Sequence, residues 1–247
     1  MKLTPELLAQ ATSGLNPAKE RQLDLRGYKI PAIENLGVTK DQHDAIDLTD
    51  NAVVTLGNLP LLKRLNTLLL ANNRISSIST SIHISVPNLT TLVLTNNNVT
   101  ELGDLEPLRE LKRLKYVSLM GNPVQEKKWY REWLAWRIPG LRVLDFQRIR
   151  DKEREAAKKL FVTPDGLMTQ LATNLSTAVS SQSAKPGLTI DEPKPMPVPG
   201  KAGRLMTKEE RERVKAAIAN AKSMEEIRRL ERSLRDGYLP EMEAVGA

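Results

Sequence analysis

The stretch L-N-T-L-L-L-A-N-N-R-I (65–75) returns 24 residues later as L-T-T-L-V-L-T-N-N-N-V (89–99). Leu65, Leu68, Leu70, Asn73 and Ile75 fit the pattern L-x-x-L-x-L-x-x-N-x-I, and Leu89, Leu92, Leu94, Asn97 and Val99 fit it again. A unit of this length cannot bury its leucines alone, so copies should extend in both directions. Upstream, Ile46, Leu48, Asn51 and Val53 form one copy, and Leu23, Leu25, Tyr28 and Ile30 form a degenerate one with Tyr at the Asn position. Downstream stand Leu114, Val117, Leu119, Asn122 and Val124, then a truncated Leu141, Leu144 and Phe146.

The strand centres Leu25, Leu48, Leu70, Leu94 and Leu119 are 23, 22, 24 and 25 residues apart, a leucine-rich-repeat period. The expected fold is an α/β solenoid with a concave parallel sheet. Within each unit the L-x-L leucines point inward and the intervening residues outward, because side chains alternate along a strand. Asn51, Asn73, Asn97 and Asn122 fall where the chain leaves the strand, and a buried amide there can satisfy backbone groups that the turn leaves unpaired.

Working outward, Met1 to Asn16 reads as a short amphipathic helix, with Thr4 and Pro5 at its start, covering the first hydrophobic layer. Between strands, Leu56, Leu59, Leu62 and Leu65, or Leu102, Leu105, Leu108 and Leu111, predict helical or 3₁₀ turns on the convex side. After Pro123, Trp129, Tyr130, Trp133, Leu134, Trp136 and Ile138 predict a helical cap, ended by Pro139 and Gly140 and followed by a last strand from Leu141 to Phe146. Asp151 to Phe161 reads as a charged, mostly solvated helix. The repeat domain with its caps is thus expected at 1–162. Residues 163–203, with Pro193, Pro195, Pro197 and Pro199, read as a disordered linker. Residues 204–247 read as a short helical hairpin opened by the pairs Thr207/Glu210 and Ser223/Glu226.

Composition narrows the function. The 247 residues hold no Cys, which removes thiol catalysis and cysteine-ligated metal and suits a reducing compartment. His43 and His83 have no partner at metal-ligand or triad spacing. No apolar run approaches a membrane span and the N-terminus lacks a signal-peptide core, so a soluble protein without membrane, cofactor or metal is expected. No phosphate-cradling Gly loop and no nucleophile with a base are present, so an enzyme is the least favoured class. Net charge is +7, spread as 18 Lys and Arg against 15 Asp and Glu in residues 1–147 and 19 against 15 in the rest. A basic partner site must therefore come from local clusters.

Read as columns, the outward residues of the six strands are Asp24, Asp47, Leu69, Val93, Ser118, Asp145, then Arg26, Thr49, Ala71, Thr95, Met120, Gln147. With Tyr116, this is a face with an apolar centre and acidic ends, fit for an apolar protein element carrying a positive end, such as a helix laid across the curve. Asp24, Asp47, Leu69, Val93, Tyr116, Ser118, Met120 and Asp145 are the candidate protein-binding residues. Basic residues gather at the rims, Arg26 and Lys29 after the first strand and Arg148, Arg150 and Lys152 after the last, where phosphate contacts are expected.

L-D-L-R-G-Y-K-I-P-A-I-E-N-L-G (23–37), E-L-G-D-L (101–105), G-N-P-V-x-x-K-K-x-Y-R (121–131), V-L-D-F-Q (143–147) and the tail segment A-I-A-N-A (217–221) resemble the A-prime family of the spliceosomal U2 small nuclear ribonucleoprotein. The resemblance implies a nuclear, non-enzymatic subunit whose concave face grips the RNA-recognition-motif protein B-double-prime. It further implies that the pair binds a stem-loop of U2 small nuclear RNA, and that the C-terminal segment meets other spliceosomal proteins. Under it, Arg26, Lys29 and Arg150 would touch the RNA backbone. A leucine-rich-repeat scaffold of another class, such as a phosphatase regulator, is the alternative; it would share the repeats but not these segments.

Overall fold

The computed structural model describes residues 1–180. The expected linker beyond that point and the C-terminal hairpin at 204–247 lie outside the described residues.

Strands β1 (Thr12–Leu15), β2 (Arg21–Asp24), β3 (Ala45–Asp47), β5 (Thr67–Leu69), β7 (Thr91–Val93), β8 (Tyr116–Ser118), β9 (Val143–Leu144) and β10 (Gln147–Arg148) form one sheet in that order; β4 (Thr55–Leu56) and β6 (Ser77–Ile78) form a separate parallel pair. The six repeat strands from β2 to β9 are parallel and in register, so that Leu23, Ile46, Leu68, Leu92, Val117 and Leu144 make one inward column. All six are buried, as are Leu25, Leu48, Leu70, Leu94 and Leu119 behind them. The leucine spacing therefore sets the register, because a one-residue slip would turn this whole set to solvent.

The repeat Asn column locks each unit to its predecessor. Asn73 Nδ2 donates to Leu70 O of its own strand end at 3.1 Å and to Leu48 O of the preceding repeat at 2.9 Å, while its Oδ1 accepts from Val53 N at 3.0 Å. Asn51, Asn97 and Asn122 repeat the arrangement, their Oδ1 atoms accepting from Ile30 N, Ile75 N and Val99 N. All four are buried.

The ends are built differently from the expectation. Helix α1 spans only Pro5–Gln10, with Thr4 Oγ1 accepting from Leu7 N, and the chain then forms β1, which runs antiparallel to β2. Two Gly and Pro interruptions, Gly14 and Pro17, disfavour continued helix and leave this segment free to pair with the sheet edge. At the other end Asp145 (φ 50°) and Phe146 (φ 62°) turn the chain into an antiparallel β9–β10 hairpin. Phe146, expected in the core, is 78% exposed, and Ile149 is buried beyond the hairpin. The convex returns are mixed: residues 102–110 are 3₁₀ as expected, but the return that begins at Leu56 opens with the β4 pair. A short helix, α2 (Ile82–Ser85), lies in the return between β6 and β7.

The aromatic cluster forms a core cap. Helix α3 (Tyr130–Arg137) packs on α4 (Asp151–Phe161), with Trp133 wholly buried and edge-on to both Trp136 and Phe161 at 5.3 Å. Arg131 and Arg154 tie the cap together: Arg131 pairs with Glu153 at 2.6 Å, and Arg154 donates to the carbonyls of Ala135 and Leu141. The structured chain runs past the expected boundary at 162. Val162 bridges Met168, helix α5 (Gln170–Thr177) follows, and Ser180 N donates to Asp104 Oδ1 at 3.0 Å. The sequence signal for α5 is weak because its anchor is tertiary: Gly103 N donates to Ala178 O, and a Cβ at Gly103 would meet that oxygen at 2.4 Å.

Candidate functional site

The parallel register places Asp24, Asp47, Leu69, Val93 and Ser118 side by side across the concave face. Leu69 and Val93 are partly exposed, and Tyr116 and Met120 are open at 44% and 40%. Phe146 adds an exposed ring at the same end of the sheet, a member that periodicity assigned to the core.

Three expected members are placed otherwise. Asp145 is not a sixth rung, because β9 ends at Leu144; its carboxylate accepts from Leu119 N and from the Tyr130 hydroxyl, both at 2.7 Å. Burial, and then this carboxylate, push the Tyr130 hydroxyl well above the usual phenol range. Asp47 and Ser118 are buried within the chain itself. Asp47 Oδ1 accepts from Thr49 N at 3.0 Å, and Ser118 Oγ bonds Thr95 Oγ1 at 2.9 Å. The second column ends at Met120, since Gln147 belongs to the antiparallel β10.

The acidic end of the face is neutralised from within. Arg26 bonds Asp24 through Nε (2.9 Å) and Nη2 (2.6 Å), and its Nε lies 3.6 Å from Asp47 Oδ2. The hydrogen bond from Arg26 is the main cause that holds the Asp24 carboxyl below its ordinary value, and the same pairing raises Arg26. Arg26 is thus folded over the face instead of standing free on the rim, an outcome fixed by an i, i+2 carboxylate on the same outward side of β2.

Lys29 is exposed at φ 55°, its carbonyl accepting from the Met1 amine. At the far end the structure brings Arg148, Arg150 and Lys152 around one open groove with Arg131, Asp151 and Glu153. Arg131 and the Arg150 backbone N–H both bond Glu153, and Arg131 is the first cause of its lowered pKa. The three expected cations remain exposed. His43 is buried with Nε2 3.0 Å from Ser13 Oγ, burial being the first cause that lowers its pKa, and His83 Nδ1 lies 3.1 Å from Thr80 O, so each has a structural setting. Among the described residues, no helix is long and apolar enough to cross a membrane.

A second basic surface escaped the sequence reading. The residue at the foot of each repeat strand forms a rim column, Arg21 (the first of β2), Asp44, Asn66, Thr90, Lys115, Arg142, and its last two members meet Lys112, Arg113 and Arg148 in a groove that Tyr116 also lines. The signal was available in the repeat alignment at the position before the first outward strand residue.

A curved parallel sheet with short returns, a partly exposed apolar face and basic rims defines a leucine-rich-repeat interaction module. A leucine-rich-repeat family model matches residues 1–175. The chain belongs to the family of U2 small nuclear ribonucleoprotein A′ proteins. The Mycosarcoma maydis member is 49% identical over 243 residues, covering 96% of this chain and 99% of that one, and the human member is 46% identical over 240 residues, covering 97% and 90%. A chain from the crystal structure of the Drosophila melanogaster SNF/U2A′ complex is 55% identical, with a TM-score of 0.65, covering 67% of this chain and 95% of that one. The relatives are subunits of a ribonucleoprotein particle by name.

Proposed function

We propose that the chain is a nuclear, non-enzymatic adaptor of the U2 particle in pre-mRNA splicing, holding the RNA-recognition-motif protein B-double-prime on its concave face while the pair binds a stem-loop of U2 RNA. The observation that carries this reading is the 55% identical relative solved together with SNF. The face supports it physically. Leu69, Val93, Tyr116, Met120 and Phe146 offer apolar area to a partner element, with Asp24 at the end of the same row able to exchange Arg26 for a partner's cation. Asp47, Ser118 and Asp145 act behind the face, fixing the turns that present it. Lys29, Arg148, Arg150 and Lys152 reach phosphate, with Arg26 joining them only on release from Asp24. The C-terminal segment is left to contact other spliceosomal proteins.

The test is a pull-down of the full chain with the B-double-prime protein, wild type against Leu69→Arg with Val93→Asp. Both side chains are outward, so the variant should keep its circular-dichroism spectrum and lose capture. Capture at wild-type affinity by the folded variant would remove the concave face from the reading.

A further inference from the structure

The rim column at the feet of the strands includes a carboxylate at one end, Asp44, and cations alone at the other. Near its start, Arg64 lies 2.7 Å from Asp44, which also accepts from Arg21 N at 2.9 Å. Near its end, Lys115 and Arg142 stand side by side just before the adjacent strands β8 and β9, the Lys115 carbonyl accepting from Arg142 N at 2.7 Å and from Val143 N at 3.0 Å. Two cations a strand spacing apart repel, at a cost that packing does not require at exposed positions. Arg148 faces Val143 from the antiparallel β10, and Arg113 opens onto the same groove. Among the described residues, Arg113, Lys115, Arg142 and Arg148 have no ion pair, and Asp151 is the one carboxylate lining the groove. Of the remaining cations there, Lys112 pairs with Glu110 at 3.3 Å and Arg154 holds backbone carbonyls.

We propose that this groove, lined by Arg113, Lys115, Arg142 and Arg148, binds the phosphodiester backbone of RNA. A run of unpaired cations along an open groove is the footprint of a phosphate chain. The exposed Tyr116 ring at its upper edge favours nucleic acid over an acidic peptide, since an aromatic ring beside cations can stack on a base or ribose. The site extends the RNA contact of the reading above, on which it rests, from the rim at Arg150 and Lys152 around Arg148 to the strand-start side of the sheet. RNA passing this way would lie against the edge of the concave sheet and not across its centre, leaving Leu69 and Val93 to a protein.

The experiment measures binding of the full chain, alone and mixed with the B-double-prime protein, to a 20-base-pair RNA duplex, a single-stranded RNA of the same length and the U2 stem-loop, over about 50 to 200 mM salt. The variants are Lys115→Glu with Arg142→Glu, the milder Lys115→Gln with Arg142→Gln, the rim pair Arg150→Glu with Lys152→Glu, and Lys158→Glu with Lys159→Glu as a charge-matched control on the exposed side of α4. Charge reversal in the groove should lower affinity about 10- to 100-fold and flatten the slope of log K against log salt by roughly 2, the glutamine pair by less, the control by under about twofold. Loss on the duplex assigns the groove to stem backbone and loss on the single strand alone to an unpaired segment; both support it. Unchanged affinity and slope in both groove variants, with the rim pair weakened, overturn the groove and leave the adaptor reading standing. No loss in any variant overturns both RNA assignments. Displacement of RNA by poly-glutamate, when groove reversal abolishes poly-glutamate binding more strongly than RNA binding, overturns the proposal in favour of an acidic protein segment.

Discussion

Asn72 and Asn73 are consecutive residues that the fold uses in opposite ways. Asn73 is buried and its amide serves backbone groups of three segments, Leu48, Val53 and its own strand end. Asn72 is exposed, sits at φ 54°, and its side chain donates to Asp50 Oδ1 at 2.7 Å and accepts from Asn96 Nδ2 at 2.8 Å. The outer column Asp50, Asn72, Asn96, Gly121 consists of residues that tolerate the left-handed region, φ 58°, 54°, 54° and 71°. Gly121 ends the ladder, since it adopts the left-handed backbone at φ 71° without strain and brings no side chain to bond Asn96. The lesson is that the same amide is a structural bolt where water cannot replace it and a minor contact where water can.

The largest effect should come from charging the inner column. Asn97→Asp replaces a donor to Leu70 O and Leu94 O with a carboxylate buried against those carbonyls, at about 4 kcal/mol. Asn73→Ala removes the bolt without adding charge and should cost about 3 kcal/mol, read in both cases as loss of ΔG in urea unfolding. Equal costs for Asn72→Ala and Asn73→Ala would break the comparison. The expected cost of Asn72→Ala is about 0.5 kcal/mol, since its surface bond exchanges with water.

The smallest effect is electrostatic and lies on the surface. Asp24, Asp44 and Glu153 have folded-state pKa values lowered by hydrogen bonds from Arg26, Arg64 and Arg131. A lowered carboxyl binds its proton more weakly when folded, so its contribution is present above the unfolded value of about 4 and is lost as the pH falls through the folded one. Mild destabilisation below about pH 4 is expected, and Arg64→Gln should shrink it measurably, with Asp44 returning toward its unfolded value. An unchanged acid limb in Arg64→Gln would mean that the pair adds nothing in solution.

Much of the site was legible because repeats make geometry linear. With Leu65, Leu68 and Leu70 aligned with Leu89, Leu92 and Leu94, every outward residue acquires a place, and the exposure of Leu69, Val93, Tyr116 and Met120 follows from spacing alone. The reading failed at the ends, where the period stops carrying information. Phe146 holds the position of a buried leucine, yet the turn at Asp145 throws it outward; Arg26 looks like a free rim cation until Asp24 is seen on the same side of its strand.

By itself the sequence determined the repeat, its register, the inner Asn column and the apolar centre of the face, because each follows from a fixed period and from the need to bury leucines and satisfy turns. Only the tertiary structure decided which charges are spent within the chain and which are left over. Arg64 finds Asp44 across 20 residues, while Lys115 and Arg142 are left without an ion pair among the described residues. Pairing of charges depends on distances between repeats, and no period in a single strand of text encodes them.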